Sequence, residues 1–396
     1  MVYPFTPEVL DAIPEAIAEL YRGLEIVLLR EIAKRLRMAG ELNEVTVQDI
    51  RALRAQGYDL DEIKKAIRRT AGVSEAELDR LLDEVVARNQ RYYAGVVSLE
   101  DITAPEIIVG AAEIDAIKRQ TLGELRNITQ SMGFMVGQVR LPPAKAYQWA
   151  LDNALLQVES GAVSYGQAAA NATRALADSG LQYVQYESGW RNQVDVAVRR
   201  AVMTGVNQIN RKYDEQAMEN LETDLVEVSA HAGARDKGVG FQNHKSWQGK
   251  VYRWAEMTER FPGSSTGQYP DFVTTCGLGD VQGILGANCR HKWVPFVEGV
   301  MERTYTDEQL EGIDKPPFEY EGKTFTTYEA TQFQRQIEAA VRHWKRREAA
   351  AVTNEDRLAA GARVRALKRK YKEFSDVAGL RMQPERMAVW DLKKQG

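Results

Sequence analysis

Apolar residues recur at three- and four-residue steps near the start of the chain, which is the spacing of one face of an α-helix. The stripe consists of Ile13, Ile17, Leu20, Leu24, Val27, Leu28, Ile32 and Leu36. It predicts one long helix that ends near Gly40.

Shorter helical patterns follow this first helix. We expect one helix from Thr46 to about Gln56 and a second from Asp59 to Thr70. A third begins with Ser-Glu-Ala-Glu, where the Ser74 hydroxyl can cap the helix and the Glu77 carboxylate can return the bond. Residues 40–90 are therefore expected to form a small helical subdomain within a helical region of residues 1–140.

Helical patterns continue through residues 141–224. We expect helices from Ala144 to about Glu159, from a second capping-box pattern at Ser164 and Gln167 to Gly180, and from Trp190 to about Leu221. Before them, the stretch SMGFMVGQVRLPP is expected to contain a turn or linker. The sequence predicts that residues 1 to about 222 are almost wholly helical.

The pattern changes at Leu225, where the short segment DLVEVSA alternates and is rich in β-branched residues. KVYRW and HKWVPF are further predicted strands, so residues 225–324 are expected to form a small α+β domain. Residues 325–396 return to a helical pattern. The predicted fold class is mainly α, with a long helical N-terminal region, a small α+β domain and a basic helical C-terminal tail.

Charge separates the tail from the rest of the chain. Residues 335–396 contain 16 Lys/Arg and 8 Asp/Glu, whereas the whole chain has a net charge of −4. Residues 335–396 therefore carry +8 and the rest of the chain −12, a contrast typical of contact with nucleic acid or an acidic partner, although a solvated helix surface explains it equally well. The predicted DNA contacts are Arg342, Lys345, Arg346, Arg347, Arg363, Arg365, Lys368, Arg369, Lys370 and Lys372.

Composition excludes several classes of protein. The apolar fraction of 44% and the charged fraction of 27% are those of a folded globular chain. We find no apolar run of membrane-spanning length and no signal-peptide pattern, so no membrane contact is expected. Two cysteines give no disulfide framework and fit synthesis in a reducing compartment.

Candidate chemistry concentrates between residues 231 and 291. This window contains three of the four histidines and both cysteines of the chain. His231, His244, Cys289 and His291 are expected to organise the domain or to bind a metal. The motifs around them contribute Arg235, Trp247, Gly249, Lys250, Asn288 and Arg290.

Three interpretations of this window stay open. Four Cys/His ligands can bind zinc, although a Cys-x-His pair is not the usual ligand spacing and Cys276 is left over. His231 and His244, with Arg235 and Lys250, could instead serve a nuclease or other hydrolase as acid, base and anion stabiliser. The third interpretation is purely structural, with histidines bonded to backbone carbonyls and cysteines filling small apolar spaces.

Several segments together resemble a known family. They are DLVEVSAHAGAR, HKSWQGKVY, YPDF and NCRHKWVPF in the central window, VESGAVSYGQAAANATRALADSGL and DVAVRRAVMTGVNQI before it, DIRALRAQGYDLDEIKKAI near the start, and TYEATQFQRQIEAAVRHWKRR after it. The chain resembles the phage minor capsid proteins of tailed phages and prophages of Gram-positive bacteria, related in role to the Mu F-like head-morphogenesis proteins. The resemblance extends over nearly the whole chain to about residue 350.

The resemblance implies a structural protein of the virion, made in the host cytoplasm and placed at the portal vertex and head interior. Portal and capsid proteins are the implied partners, and no enzymatic activity or catalytic residue is implied. Packaged DNA is a further partner expected from the basic tail. Family members often have a cysteine a few residues before NCRH, where this chain has Leu285. That difference weighs against zinc. The alternatives are a hydrolase domain at residues 225–322 and an internal DNA-binding protein that uses the basic tail.

Overall fold

The computed structural model describes residues 3–40, 61–99, 102, 104–161, 163–184, 191–286 and 289–389. Its helices are α1 (Pro7–Ala12), α2 (Glu15–Gly40), α3 (Asp61–Val96), α4 (Ala111–Ser131), α5 (Pro143–Glu159), α6 (Tyr165–Ser179), α7 (Val194–Asn220), α8 (His244–Trp247), α9 (Ala255–Arg260), α10 (Phe272–Cys276), α11 (Asp307–Glu311), α12 (Thr327–Ala349) and α13 (Asn354–Ala378). Its strands are β1 (Gly133–Val136), β2 (Val139–Leu141), β3 (Leu181–Val184), β4 (Arg191–Gln193), β5 (Leu225–Val228), β6 (Val251–Arg253), β7 (Trp293–Phe296), β8 (Phe318–Tyr320) and β9 (Lys323–Phe325). Helix dominates the described residues, which confirms the predicted mainly-α class.

The chain divides into two compact units, each built from three separated stretches. Unit 1 comprises residues 1–14, 78–122 and 200–333, and unit 2 comprises residues 15–77, 123–199 and 334–396. The boundaries predicted from the sequence at residues 140, 224 and 324 follow chain order and stay a prediction. Among the described residues, no helix combines the length and the apolar content needed to cross a bilayer.

The core of unit 2 forms around α2, the long helix predicted from the first stripe. Stripe residues from Ile17 to Leu36 are buried, apart from the half-buried Val27. Helix α2 packs along α6, and α6 along α5. The buried face of α6 is rich in alanine, whose methyl side chain allows close approach of neighbouring helices. The predicted cap is present, since the Ser164 hydroxyl accepts a bond from the Gln167 N–H.

A four-stranded antiparallel sheet in unit 2 corrects the expectation that residues 1–222 are almost wholly helical. Its order is β2-β1-β3-β4, and Phe134 pairs with Leu141 on one side and Leu181 on the other. Gly137, at φ +59°, lies in the turn between β1 and β2. The strands have only three or four residues, which is too short for an alternating pattern to stand out from the helical ones around it.

A second correction concerns residues 61–96, where two separate helices were expected. They form the single helix α3, and Ser74 lies inside it instead of capping a new helix. Its hydroxyl donates to the Ala71 carbonyl oxygen at 2.9 Å. No proline interrupts this stretch, and Gly72 alone does not break a helix. The helix predicted from Thr46 to Gln56 lies outside the described residues.

Unit 1 contains the three strands predicted after Leu225. They form an antiparallel sheet with the order β6-β5-β7, in which Val226 pairs with Tyr252 and Pro295. Large aromatic residues fill the core against this sheet. They include Trp247, Tyr252, Trp254, Phe272 and Trp293.

The tail is helical as predicted, and α13 packs against the part of α12 that belongs to unit 2. Tyr371 and Phe374 are buried, whereas Leu367 is half-buried. The Tyr371 hydroxyl donates to Glu338 Oε1 at 3.0 Å, and Gln334 Nε2 donates to Ser375 Oγ at 2.9 Å.

Candidate metal centre

The histidine and cysteine positions converge at one edge of the β6-β5-β7 sheet. Strands β5 and β7 are antiparallel, with Val228 opposite Trp293. His231 lies three positions after Val228, and His291 lies two positions before Trp293. Because the strands are antiparallel, both histidines lie at the same end of the pair. Helix α8 brings His244 to the same place.

His291 lies at the centre of a stack of rings. Its ring centroid is 4.4 Å from that of His231, 5.3 Å from that of His244 and 4.7 Å from that of Trp247. The Trp247 indole N–H donates to the Phe241 carbonyl oxygen at 2.9 Å, so its one polar atom is satisfied. All four rings are buried, which makes this group both the centre of the site and part of the core of unit 1.

Hydrogen bonds place the ring proton of both His244 and His291 on Nε2. His244 Nε2 lies 2.8 Å from the Gln282 carbonyl oxygen, and His291 Nε2 lies 3.0 Å from Gln248 Oε1. Gln248 Oε1 also accepts the His231 backbone N–H at 3.1 Å, which identifies that amide atom as the oxygen. An oxygen of this kind only accepts, so each Nε2 carries the hydrogen. Each Nδ1 then keeps a free lone pair.

The Nδ1 atom of His291 lies beside the thiol of Cys289. His291 Nδ1 lies 3.5 Å from Cys289 Sγ, and one ligand atom each of His244, Cys289 and His291 lies within 4.8 Å of the other two. Among the residues that the structure describes, this trio is the group with metal-ligand spacing, and His231 is not part of it. The arrangement suits either an S–H···N hydrogen bond or a shared cation.

Burial controls the ionisation of the site. It lowers the pKa of His231 to about 3, with the nearby Arg290 guanidinium adding to the effect, and it lowers the pKa of His244 to about 4. The pKa of His291 falls well below its ordinary value for the same reason. Burial raises the pKa of Cys289 to about 11. At neutral pH the rings are neutral and the metal-free thiol is protonated.

The remaining motif residues surround this trio. Arg235 Nη1 donates to the Gln282 carbonyl oxygen at 3.2 Å, the same oxygen that accepts from His244. Arg290 Nη2 lies 3.2 Å from His231 Nδ1, which is also 2.9 Å from the Ala232 carbonyl oxygen. Lys250 is exposed and donates to the Ser246 carbonyl oxygen.

Gly249 and Asn288 complete the motif residues. Gly249 has φ +71°, and a Cβ at this position would lie 2.3 Å from Leu310 Cδ2, so both conformation and space favour glycine. Asn288 lies outside the described residues.

The second cysteine lies in the same core but outside the trio. Cys276 ends α10 and is fully buried with Cys289 in one apolar cluster. Burial raises the pKa of the Cys276 thiol above its ordinary value.

Sequence reasoning missed the residues that orient the rings. Gln248 lies directly after Trp247, and the Gln282 carbonyl oxygen belongs to a loop without a motif. The scarcity of histidine indicated the ligands, but no comparable signal marks a glutamine that orients them.

The four predicted DNA contacts on α12 have partners within unit 2. Arg342 and Lys345 donate to the carbonyl oxygens of Arg386 and Met387. Arg346 donates to the Ala177 carbonyl oxygen, and Arg347 forms a bidentate pair with Asp178. Burial lowers the pKa of Lys345 to about 8.

The predicted contacts on α13 have a different environment. Lys370 is half-buried, and the other five side chains are exposed. Those five are Arg363, Arg365, Lys368, Arg369 and Lys372.

Comparison with known proteins identifies the family. The family model for phage minor capsid protein 2 matches residues 5–376. The chain belongs to this family. A structural protein of Lactococcus phage LL-H is 26% identical to this chain over 245 residues, which is 60% of the chain and 59% of that relative. No solved structure matches it significantly. As a phage structural protein, the minor capsid protein is a component of the virion.

Proposed function

We propose that this minor capsid protein is a non-enzymatic structural protein of the phage head interior, located at the portal vertex and contacting packaged DNA through α13. Membership of a structural family supports the first part of this proposal. The observation that carries the DNA contact is a row of exposed cations on one face of α13.

This row follows the period of the helix. Lys368 and Arg369 lie three and four residues after Arg365, and Lys372 lies four and three residues after them, so the four cations share one face. The buried residues Val364, Tyr371 and Phe374 lie on a different face. A helix held by its apolar side therefore presents a basic row to solvent, and such a row suits the phosphate backbone of duplex DNA.

Two other observations weigh against alternative roles, namely docking through α2 and nuclease activity. The apolar stripe of α2 is buried in the core of unit 2, so this stripe does not provide a docking surface for portal or capsid subunits. The three histidines of unit 1 are buried and neutral at neutral pH, which favours a structural role over the acid and base roles of a nuclease.

Binding of the full chain to a DNA duplex, measured by fluorescence anisotropy over a range of salt concentrations, tests the DNA contact. Four phosphate contacts predict that log K falls against log salt with a slope of about −3 to −4, without sequence preference. The variant Arg365→Glu/Lys368→Glu/Lys372→Glu should lose most of this slope. A matched control, Lys34→Glu/Arg37→Glu/Arg68→Glu, changes three exposed cations on α2 and α3 by the same charge and should bind as the wild type does.

Absence of binding at low salt would contradict the DNA contact, as would equal weakening by both triple variants. Location is tested separately by electron microscopy of assembled heads that contain a tagged chain. Tag density inside the head at the portal vertex is expected, and density on the outer capsid surface would contradict that placement.

A further inference from the structure

We propose that unit 1 binds one zinc ion through His244 Nδ1, Cys289 Sγ and His291 Nδ1, with a water molecule as the fourth ligand. This site is independent of the proposed DNA contact, because its ligands belong to unit 1 and the basic row belongs to unit 2.

The spacing of the donors matches a tetrahedral zinc site. Zn–N distances near 2.0 Å and a Zn–S distance near 2.3 Å place neighbouring donor atoms about 3.3–3.6 Å apart. Cys289 Sγ and His291 Nδ1 are 3.5 Å apart, and the trio as a whole lies within 4.8 Å. The His244 donor atom has to move closer to these two atoms to complete three corners of the tetrahedron.

The surrounding hydrogen bonds are those that orient metal-binding histidines. A ligating ring usually donates its other N–H to a carbonyl or carboxylate oxygen, which fixes the ring and selects the tautomer. His244 does this with the Gln282 carbonyl oxygen, and His291 does it with Gln248 Oε1. In both rings Nδ1 is therefore the nitrogen that keeps a lone pair for a metal ion.

The chemistry of the donors selects the ion. One thiolate and two imidazoles suit zinc, whereas magnesium and calcium prefer oxygen ligands. On binding, the Cys289 S–H bond breaks, the sulfur forms a bond to zinc, and one proton is released to solvent. The thiolate also offsets part of the positive charge that Arg235 and Arg290 add near the site.

The first test uses the untagged wild-type chain. The protein is freed of metal by dialysis against a chelator, and zinc alone is then titrated in by calorimetry and counted by elemental analysis. About one zinc per chain is expected, together with release of about one proton. A chain that remains folded by circular dichroism and takes up no zinc would overturn the proposal.

Variants then test the ligand assignment. Cys289→Ser and His244→Gln should lower zinc affinity at least tenfold, and Gln248→Leu should lower it by about 10- to 100-fold, since it removes the acceptor that orients His291. Cys276→Ala is the matched control, because Cys276 is buried in the same core but lies outside the trio. This control should retain one zinc, and loss of zinc in it would overturn the three-ligand set.

A spectroscopic test keeps all three proposed ligands, so it does not depend on whether a ligand variant folds. Cys276→Ala leaves Cys289 as the only thiol in the chain. Cobalt(II) added to this metal-free variant should produce a thiolate-to-cobalt charge-transfer band with the intensity of one sulfur ligand, and zinc should displace it. Absence of this band from the folded variant would exclude Cys289 as a ligand.

Discussion

Lys292 Nζ lies 3.3 Å from Asp214 Oδ1, and each of these side chains is only 2% exposed. The Tyr93 hydroxyl donates to the same carboxylate, and Asn89 Oδ1 accepts from Lys292 Nζ at 3.4 Å. Burial lowers the pKa of Lys292 and raises that of Asp214 to about 6. Each charge therefore depends on the other for compensation inside unit 1.

The first prediction is that removing one partner of this pair lowers the free energy of unfolding more than removing both. Lys292→Met should lower the free energy of unfolding by about 3–5 kcal/mol, because it leaves a buried carboxylate without its cation. The double variant Asp214→Asn/Lys292→Met should recover most of that loss. Urea unfolding of the full chain measures both values. A double variant as unstable as the single one would assign the loss to packing instead of charge.

The second prediction concerns pH and follows from the raised pKa of Asp214. The folded state holds the Asp214 proton more tightly than the unfolded state, whose pKa is about 3.9. The resulting stabilisation is complete below pH 4 and is lost as the pH rises through 6. The unfolding free energy of the wild type, minus that of Asp214→Asn/Lys292→Met, should therefore fall between pH 4 and pH 6. A difference that stays constant or rises over this range would contradict the raised pKa.

The third prediction concerns Trp247, which is 1% exposed and contacts His244 and His291. Trp247→Ala should lower the unfolding free energy by about 3–5 kcal/mol, the usual cost of deleting a large buried aromatic side chain. The control is Trp344→Ala, because Trp344 is only half-buried and stacks with the exposed Arg363. Thermal unfolding of the metal-free chain compares the two, and equal effects would contradict a central role for Trp247.

The fourth prediction contrasts two glycines inside helices. A Cβ at Gly205 would lie 2.3 Å from Thr121 Oγ1, whereas a Cβ at Gly72 would meet nothing within 4 Å. Gly205→Ala should therefore destabilise the protein by about 1–3 kcal/mol through overpacking. Gly72→Ala should stabilise it by about 0.5–1 kcal/mol, because alanine favours the helix. Urea unfolding measures both changes, and stabilisation by Gly205→Ala would show that Thr121 can move aside.

How far the fold follows from the sequence depends on the length of each pattern. The stripe from Ile17 to Leu36 extends over more than five turns of α2 and predicts the end of this helix to within a few residues. Strands β1 and β4 have too few residues to show a period, and the pairing of β1 with β3 joins residues that are far apart in the sequence. Capping patterns are also ambiguous, since Ser164 begins a helix whereas Ser74 lies inside one.

The same distinction applies to the candidate site. The rarity of histidine and cysteine indicates which residues to examine, but their distances depend on the register of β5 against β7. Lys292 shows what the sequence pattern does not predict. It lies in the predicted strand HKWVPF, and a lysine is ordinarily exposed. Only the fold brings Asp214 and Asn89 to it.

The hydrogen bonds of Arg22 affect when unit 2 can finish folding during synthesis. Its guanidinium donates to the carbonyl oxygens of Glu385 and Ala388, and the second of these lies 366 residues further along the chain. At about 5–20 residues per second, a ribosome needs roughly 20–70 s to make that intervening stretch. Helix α2 must remain without these contacts throughout that time. Unit 2 can therefore complete its packing around Arg22 only after residues 385–388 have been made.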